Sequence, residues 1–219
     1  MSDVSLKNKS ILVTAGSTWI PIDSVRVITN IFKGSIGFTI AKMAAACGAN
    51  VILLLGPSFD LCTYKAPTNL IIKRFKYFDE LDTLMTDLLE KNRFDAVIHS
   101  AAVSDFQLNK VYSGKIKSDN KLLLELVPTK KIIDYIKVKS PYTYLVKFKL
   151  EVDITPQELN KIIIKSKSQS HADLIVGNIY SRSFSDHEAY VLDNSNKVEH
   201  VIGRENISDY ILNKIYEGK

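Results

Sequence analysis

The amino-acid sequence predicts an α/β protein with a mostly parallel β-sheet, helices on both faces of that sheet, and a small antiparallel hairpin as an extension. Short apolar runs rich in branched residues alternate along the chain with helical segments, which is the order that builds a parallel sheet. Residues 11–55 form the first strand–helix–strand unit, whose crossover is expected to be right-handed. Residues 193–197, DNSNK, separate two short apolar runs and predict the hairpin.

Each predicted element follows from its own local pattern. Strands are expected where the apolar runs are short, at residues 11–13, 51–55, 70–72, 94–98, 122–127, 144–150, 172–177, 188–192 and 198–202. Helices are expected at residues 38–48, 78–92, 129–139, 155–168 and 205–216. Thr155, Pro156 and Glu158 form a helix start, because they supply a capping hydroxyl, a first-turn proline and a capping-box glutamate. Residues 23–33 and 107–121 lack regular periodicity and predict no regular element.

Length and composition indicate one globular domain over residues 1–219. A chain of 24.6 kDa buries roughly 70% of its unfolded surface, so it needs no disulfide or metal to fold. Cys47 and Cys62 cannot build a disulfide framework, and the four histidines show no metal-ligand spacing with them. No apolar signal core opens the chain, and no apolar run approaches the ~18 residues of a membrane span. We therefore expect a cytoplasmic protein without a membrane partner.

The net charge of +5 comes from 29 Lys and Arg interspersed with 24 acidic residues. Because the two signs are mixed along the chain, the charge indicates a solubilising surface rather than a face that binds nucleic acid. A site for anionic small molecules is the other interpretation of this mild excess of positive charge.

The main functional signal is a strand, a loop of small residues and a glycine-marked helix start, at residues 11–13, 16–18 and 34–37. In Rossmann-like α/β folds this arrangement binds phosphate, because free backbone N–H groups and the helix dipole both favour an anion. Small or polar residues also follow two other predicted strands, at residues 101–106 and 177–178. Since ligands of such sheets bind at the carboxyl ends of the strands, these stretches are expected to meet in one crevice.

Residues 14–37, TAGSTWIPIDSVRVITNIFKGSIG, resemble the signature loop of phosphopantothenate–cysteine ligase, the synthetase of coenzyme A biosynthesis. That family typically reads TAGGT-x-x-PID-x-VR-x-I-x-N-x-S-x-G-x-x-G. Four later segments resemble its AAAVSDF, KIKK, GFKLE and DLIVAN stretches, namely residues 101–106, 115–117, 146–151 and 173–178. The resemblance covers nearly the whole chain, in order and at the family's spacing.

The resemblance implies a ligase that joins 4′-phosphopantothenate and L-cysteine. In that family the carboxylate first takes the α-phosphate of a nucleoside triphosphate with release of pyrophosphate, and the amine of cysteine then displaces the nucleoside monophosphate. CTP is the favoured co-substrate and ATP the alternative, with Mg²⁺ carried by the triphosphate. The chain begins at the ligase strand and resembles a stand-alone form, so no flavin is implied.

A homodimer is also implied, in which two segments reach across to complete the partner's site. We name these segments the flap (residues 23–33) and the strap (residues 107–121). Their lack of regular periodicity is consistent with that role.

The resemblance assigns roles to individual residues. Catalytic roles fall on Asn30, Arg26 and Lys115: the amide bonds the acyl nucleotide, the guanidinium holds phosphate or carboxylate, and the ammonium neutralises phosphate charge. The residues expected to bind nucleotide are Gly16, Ser17, Thr18, Ala101, Ala102, Asp105, Phe106, Lys115, Lys117, Thr129, Lys130, Lys131, Ile132 and Phe148. The residues expected to bind the acid substrate are Arg26, Asn30, Gly34, Gly37 and Asn178. No protein ligand for a metal is expected.

The chain departs from the family pattern at three places. Residues 32–34 read Phe-Lys-Gly where the family often has Ser-Ser-Gly, and residues 129–132 read Thr-Lys-Lys-Ile where many members have Thr-Pro-Asp-Ile. Two lysines that reach the triphosphate in the family fall on Ser166 and Ser170, while the lysines of this segment are offset.

Two other functions remain as alternatives. A nicotinamide-dependent oxidoreductase would also open with residues like 11–17, but its glycine-rich fingerprint does not follow Gly16. Tyr112 and Lys115 are also one residue too close for a dehydrogenase pair. A non-catalytic Rossmann-like module that binds nucleotide or phosphate would need the small-residue loop, but neither Lys115 nor Asn30.

Overall fold

The computed structural model describes residues 4–119, 121–180 and 187–218. Its strands are β1 (Ser10–Ala15), β2 (Trp19–Pro21), β3 (Val27–Thr29), β4 (Asn50–Leu55), β5 (Leu70–Arg74), β6 (Ala96–His99), β7 (Phe106–Leu108), β8 (Leu126–Pro128), β9 (Tyr144–Val152), β10 (Leu174–Tyr180), β11 (Glu188–Leu192) and β12 (Val198–Ile202). Its helices are α1 (Ser35–Ala46), α2 (Phe78–Lys91), α3 (Ile132–Lys139), α4 (Pro156–Ser170) and α5 (Arg204–Glu217).

The main sheet has eight strands in the order β12-β11-β10-β9-β6-β1-β4-β5. The six strands from β10 to β5 are parallel, and β11 and β12 extend the sheet as an antiparallel hairpin. Two separate antiparallel pairs, β2–β3 and β7–β8, lie outside this sheet. The predicted α/β fold with a mostly parallel sheet and a small antiparallel extension is therefore confirmed.

Helices cover both faces of the sheet, because successive side chains of each strand point to opposite sides. In β1, Ile11 and Val13 join the core beneath α1 and α5, whereas Leu12 joins a second core beneath α2 and α3. Helix α4 packs on the same face as α2 and α3, through a smaller cluster that contains Leu159 and Ile163. Strands buried on both faces explain the nearly continuous apolar runs of the sequence.

Most predicted elements occur within a few residues of their expected ends, and the hairpin strands match at both ends. The capping box predicted at α4 is present: Glu158 N donates to Thr155 Oγ1 at 3.3 Å and Thr155 N donates to Glu158 Oε2 at 2.8 Å. Helix α1 begins at Ser35 rather than at residue 38, because Gly34 in a left-handed conformation turns the chain into the helix.

Three predictions about local structure were wrong. The strand predicted at residues 122–127 is reduced to β8, because Leu122 and Leu123 are exposed and the short β7 is the strand that pairs with β8. The β2–β3 hairpin was missed, since three-residue strands give too little alternation to detect. Residues 177–178 do not follow a strand, because β10 continues to Tyr180, paired along its whole length with the longer β9.

Candidate functional site

The loop after β1 is built on glycines that bring backbone against backbone. Gly16 and Gly34 have φ angles of +84° and +95°, in the left-handed region that favours glycine. A Cβ at Gly34 would lie 2.2 Å from the amide nitrogen of Gly16. Gly37 allows a similar approach of α1, because its Cβ would lie 2.4 Å from Ser100 Oγ. Both glycines predicted to bind substrate therefore have a packing role, and their contact with a ligand stays a prediction.

Ser17 and Thr18 hold this loop to its neighbours. Both residues are buried. Ser17 Oγ donates to the carbonyl oxygen of Phe32 at 2.5 Å, and Thr18 Oγ1 accepts from the amide of Ser104 at 2.9 Å. The hydroxyls that were predicted to bind nucleotide thus join the loop after β1 to the flap and to the loop after β6.

Asn30 lies where these loops meet. Its Nδ2 donates to the carbonyl oxygen of Ala102 at 3.1 Å, and the amide of Ala102 donates to the carbonyl oxygen of Gly16 at 2.9 Å. The amide of Ala101 donates to Thr14 Oγ1 at 3.2 Å, which fixes the start of the same loop. The structure thus brings the predicted residues at positions 16, 30, 101 and 102 together at the carboxyl ends of β1 and β6.

The buried carboxylate of Asp23 clips the strap to the flap. It accepts from the amides of Val25 and Arg26, both at 2.9 Å, and from the amide of Ile116 in the strap at 3.0 Å. The guanidinium of Arg26 completes its shell, with Nε at 2.9 Å and Nη2 also in contact. The Arg26 guanidinium and the three amides hold the pKa of Asp23 well below its usual range, so the carboxylate is ionised.

Arg26 also contacts the strap directly. Its Nη2 donates to the carbonyl oxygen of Ile116 at 2.8 Å as well as to Asp23. Sequence reasoning placed an anion on this guanidinium, whereas in the structure Nε and Nη2 donate to protein acceptors, and within the described ranges no acceptor is seen for Nη1. Its contact with substrate stays a prediction, and the missed partner, Asp23, is part of the same PID-x-VR segment.

Lys115 lies in the strap beside this clip. The carbonyl oxygen of Gly114 accepts from the amide of Ser24 at 3.0 Å, and the amide of Ile116 is held by Asp23. The residues on both sides of Lys115 are thus bonded to the flap, while Lys115 itself is exposed. Lys117, two residues further on, is also exposed.

Thr129, the residue that follows β8, is joined to the loop after β6. Thr129 donates from its amide to the carbonyl oxygen of Asp105 at 2.9 Å and from Oγ1 to that of Ser104 at 2.8 Å. Asp105 and Phe106 are exposed beside this contact. Three predicted nucleotide residues, at positions 105, 106 and 129, therefore lie together.

The other predicted nucleotide residues of this segment, at positions 130–132, lie at the start of α3 and face different surroundings. Lys130 points toward α2, where its Nζ lies 2.6 Å from Asp82 Oδ2. Ile132 is 2% exposed and belongs to the core beneath α2 and α3. Lys131 is the N-cap residue of α3 and is exposed. The side chain of Ile132 thus packs in the core and Lys130 has a carboxylate partner, while the contact of these residues with nucleotide stays a prediction.

Two predicted residues lie on the long strands β9 and β10. Phe148 packs against the core beneath α1 and α5. Asn178 lies inside β10 rather than after it, and its Nδ2 donates to the carbonyl oxygen of Glu188 at 2.5 Å. The contact of β10 with the flap is instead made by Tyr180, whose ring meets Phe32 edge-on with centroids 5.5 Å apart.

A polar row that sequence reasoning missed crosses the end of the sheet. Thr14, His99 and Lys147 occupy paired positions on β1, β6 and β9. His99 Nδ1 and Thr14 Oγ1 lie 3.0 Å apart. Burial and the charge of Lys147 lower the pKa of His99 to about 4, so the ring is neutral at pH 7. The available signal was that a polar residue, Thr14 or His99, directly follows the apolar runs at residues 11–13 and 96–98.

In the parts of the chain that the structure describes, no helix is long and apolar enough to cross a bilayer. Over the same ranges, no three His, Cys, Asp or Glu side chains gather as a metal site would require.

The family model described as the DNA/pantothenate metabolism flavoprotein C-terminal domain matches residues 6–218. The chain is 36% identical over 192 residues to the coenzyme A biosynthesis bifunctional protein CoaBC of Thermococcus kodakarensis, covering 86% of this chain and 45% of that relative. It is 33% identical over 174 residues to the CoaBC of Bacillus subtilis, covering 79% and 41%. The chain thus spans about half the length of the curated relatives it matches.

Solved structures agree with the fold. The DNA/pantothenate metabolism flavoprotein from Streptococcus pneumoniae superposes with a TM-score of 0.86 at 29% identity, over 96% of this chain and 100% of that one. A Cab2 mutant in complex with phosphopantothenate-cysteine gives a TM-score of 0.75 over 97% and 88%, and at 20% identity it supports the fold alone. The sequence match and the closely similar fold together show that this chain belongs to the family of the DNA/pantothenate metabolism flavoprotein C-terminal domain.

Proposed function

We propose that this protein is the nucleotide-dependent ligase of coenzyme A biosynthesis that joins 4′-phosphopantothenate to L-cysteine. The observation that carries the proposal is the clip formed by Asp23 and Arg26, which bonds the strap around Lys115 to the flap, the segment that also contains Asn30. A loop that is bonded on both sides of an exposed lysine holds that lysine in place without burying it. The names of the CoaBC relatives support the pathway.

The reaction has two steps. A carboxylate oxygen of 4′-phosphopantothenate forms a bond to the α-phosphorus, the bond from that phosphorus to the bridging oxygen breaks, and pyrophosphate leaves. The amine of cysteine then attacks the acyl carbon, the acyl–oxygen bond breaks, and the nucleoside monophosphate leaves as the amine loses a proton. Both steps place negative charge on phosphate oxygens, which the Lys115 ammonium would stabilise while Asn30 orients the acyl nucleotide.

We infer that CTP is the preferred nucleotide and that Mg²⁺ arrives with its phosphates. Bacterial members of the resembling family mostly use CTP, and the relatives reported above are archaeal and bacterial. A triphosphate supplies oxygen ligands for Mg²⁺ itself, so a dedicated cage of carboxylates is not needed. ATP is the alternative, and the assay below compares the two directly.

A homodimer accounts for two features of the flap and the strap. Several large apolar side chains are exposed on or beside them, among them Val25, Ile31, Val111 and Leu123 with exposed fractions from 51% to 76%. Such side chains gain free energy when a second copy of the chain covers them. The clip also lies at the tip of the β2–β3 hairpin, whereas Asn30 follows its base, so a partner's strap would help to complete each site.

The test is pyrophosphate release from the purified protein with 4′-phosphopantothenate, L-cysteine and Mg²⁺, with CTP and ATP in parallel. We expect release that depends on both substrates and is faster with CTP. Lys115→Gln and Asn30→Asp should each lower the rate by about 100-fold or more, because they remove charge stabilisation and orientation of the acyl nucleotide. Nucleotide binding without any release would overturn the ligase proposal in favour of a non-catalytic module, and hydride transfer with a nicotinamide would favour the oxidoreductase.

A further inference from the structure

The row formed by Thr14, His99 and Lys147 lies where the face of the sheet that packs on α2 and α3 changes from apolar to polar. Leu12, Val97 and Leu145 are paired across β1, β6 and β9, and all three are buried in the core beneath α2 and α3. Two residues further along each strand, the same face carries a threonine, a histidine and Lys147. The sheet therefore turns from apolar to polar within one step, at the edge where α/β proteins bind ligands.

Lys147 differs from the other half-buried lysines of the described ranges in its partners. Those lysines each reach a carboxylate or a carboxamide, in the pairs Lys9–Asp95, Lys137–Asp173, Lys149–Glu151, Lys167–Asn194 and Lys214–Asp193. The acceptor that the described residues offer to Lys147 Nζ is the carbonyl oxygen of Ser166, at 3.3 Å. An ammonium has three N–H donors, so this arrangement leaves donors for a ligand.

Charges of both signs surround Lys147, but none of the described carboxylates bonds its ammonium. Burial is the main cause that lowers its pKa, Lys131 and Lys149 lower it further, and Asp134 raises it. Lys131 and Asp134 belong to the N-cap and first turn of α3, so the amino end of that helix faces the same place. Because Lys147 is partly desolvated and its acceptor is a neutral carbonyl rather than a carboxylate, an anion that binds there stabilises the ammonium. The neutral His99 adds no charge that would compete.

We propose that Lys147, which lies in the middle of β9 beside the carboxyl end of β6, binds a phosphate group of a substrate. This inference rests on the proposed function, whose reaction offers two such groups, the triphosphate of the nucleotide and the 4′-phosphate of phosphopantothenate. Lys165, an exposed lysine on α4 next to Ser166, is the rival cation. Its side chain makes no bond that would hold it in the crevice among the contacts described for this chain, whereas Lys147 is anchored in the sheet.

The test is a set of dissociation constants measured by calorimetry without turnover. The ligands are CTP, 4′-phosphopantothenate and inorganic tripolyphosphate, each added singly to the wild-type protein, Lys147→Met, Lys147→Arg and Lys165→Met. We expect Lys147→Met to weaken at least one ligand by roughly ten- to 100-fold, since a charge-assisted hydrogen bond is lost. Lys147→Arg should recover part of that loss, and Lys165→Met should bind as the wild type does.

The pattern of losses identifies the phosphate. Weaker binding of CTP and tripolyphosphate assigns Lys147 to the triphosphate, and weaker binding of 4′-phosphopantothenate alone assigns it to the acid substrate. Unchanged constants for all three ligands in Lys147→Met, or no binding of any of them to the wild-type protein, would overturn the proposal. Thermal unfolding of each variant checks that it is folded. If binding depends on Lys147 but no pyrophosphate is released, the ligase proposal fails while this one holds.

Discussion

In the central sheet, strands β1, β6 and β9 are held by backbone ladders and by side chains that are buried on both faces. The flap and the strap are held differently: the single carboxylate of Asp23 and the guanidinium of Arg26 provide much of the contact between them. Apolar side chains of the flap such as Val25 remain exposed. The sheet therefore supplies stability, whereas the clipped segments position the side chains that we propose to act on substrate.

The largest expected effect is on the sheet. Leu12 has no exposed surface and lies in the core beneath α2 and α3, so Leu12→Ala should lower the free energy of unfolding by about 2–5 kcal/mol. Ile71, which is 54% exposed on the edge strand β5, provides the matched control, and Ile71→Ala should cost less than about 1 kcal/mol. Urea unfolding measures both values. Equal losses in the two variants would mean that burial in the central strands is not the main source of stability.

The second expected effect is a pH dependence of stability caused by His99, which lies between the central sheet and the loops. Because the folded-state pKa of His99 is about 4 and the unfolded value is about 6.5, the unfolded chain binds more protons between these pH values. Stability from the neutral ring is therefore full above about pH 6.5 and is lost as the pH falls toward 4. The loss is about 3 kcal/mol at most, and less where the ring is partly open to the crevice.

His99→Gln keeps a side chain that can bond Thr14 but does not titrate. We expect the free energy of unfolding, measured in urea at each pH, to change less with pH in the variant than in the wild type. The difference between the two proteins removes the contribution of groups that they share. A difference that does not change between pH 6.5 and pH 4 would show that His99 is not held neutral.

The same contrast explains how far the sequence predicts the structure. Buried strands and amphipathic helices are visible in local patterns, and so is the capping box at Thr155, because each depends on residues close in the chain. The contact of Asp23 with Ile116 spans 93 positions, and neither residue's own surroundings in the sequence indicate it. The resemblance to a family identified the residues of the loops. It did not indicate which of their side chains bond to other parts of the protein rather than to a ligand.

Lys147 is a residue that the sequence pattern gave no reason to select. In the segment that resembles GFKLE, it stands at the position of the glycine, and its neighbours in sequence are ordinary strand residues. Its interest comes from the register that aligns it with His99 and from the turn of α4 that brings Ser166 to its ammonium. Both are long-range features, so the sequence pattern alone gave no reason to select it.

The last prediction tests whether the clip sets activity rather than stability. Asp23→Asn keeps an oxygen that can accept from the amides of Val25 and Arg26. It replaces Oδ2, which accepts from the Arg26 guanidinium and from the amide of Ile116, with an NH2 group that cannot accept, so both of those bonds are lost. The strap should loosen, so kcat for pyrophosphate release should fall about ten-fold or more, because a displaced Lys115 no longer meets the phosphate. The KM for L-cysteine should change little.

Asp95 provides a matched control, because it also accepts a remote backbone amide, that of Ser10 at 2.8 Å, and a cation, Lys9, at 3.1 Å. It lies at the amino ends of β1 and β6, on the opposite edge of the sheet from the crevice, so Asp95→Asn should leave kcat unchanged. Limited trypsin digestion gives a readout that is independent of catalysis, since a looser strap in Asp23→Asn exposes the bonds after Lys115 and Lys117 to faster cleavage. Full activity and unchanged cleavage in Asp23→Asn would mean that the strap keeps its position without the carboxylate. Other bonds between the flap and the strap, such as that from the amide of Ser24 to the carbonyl oxygen of Gly114, would then hold the strap in place.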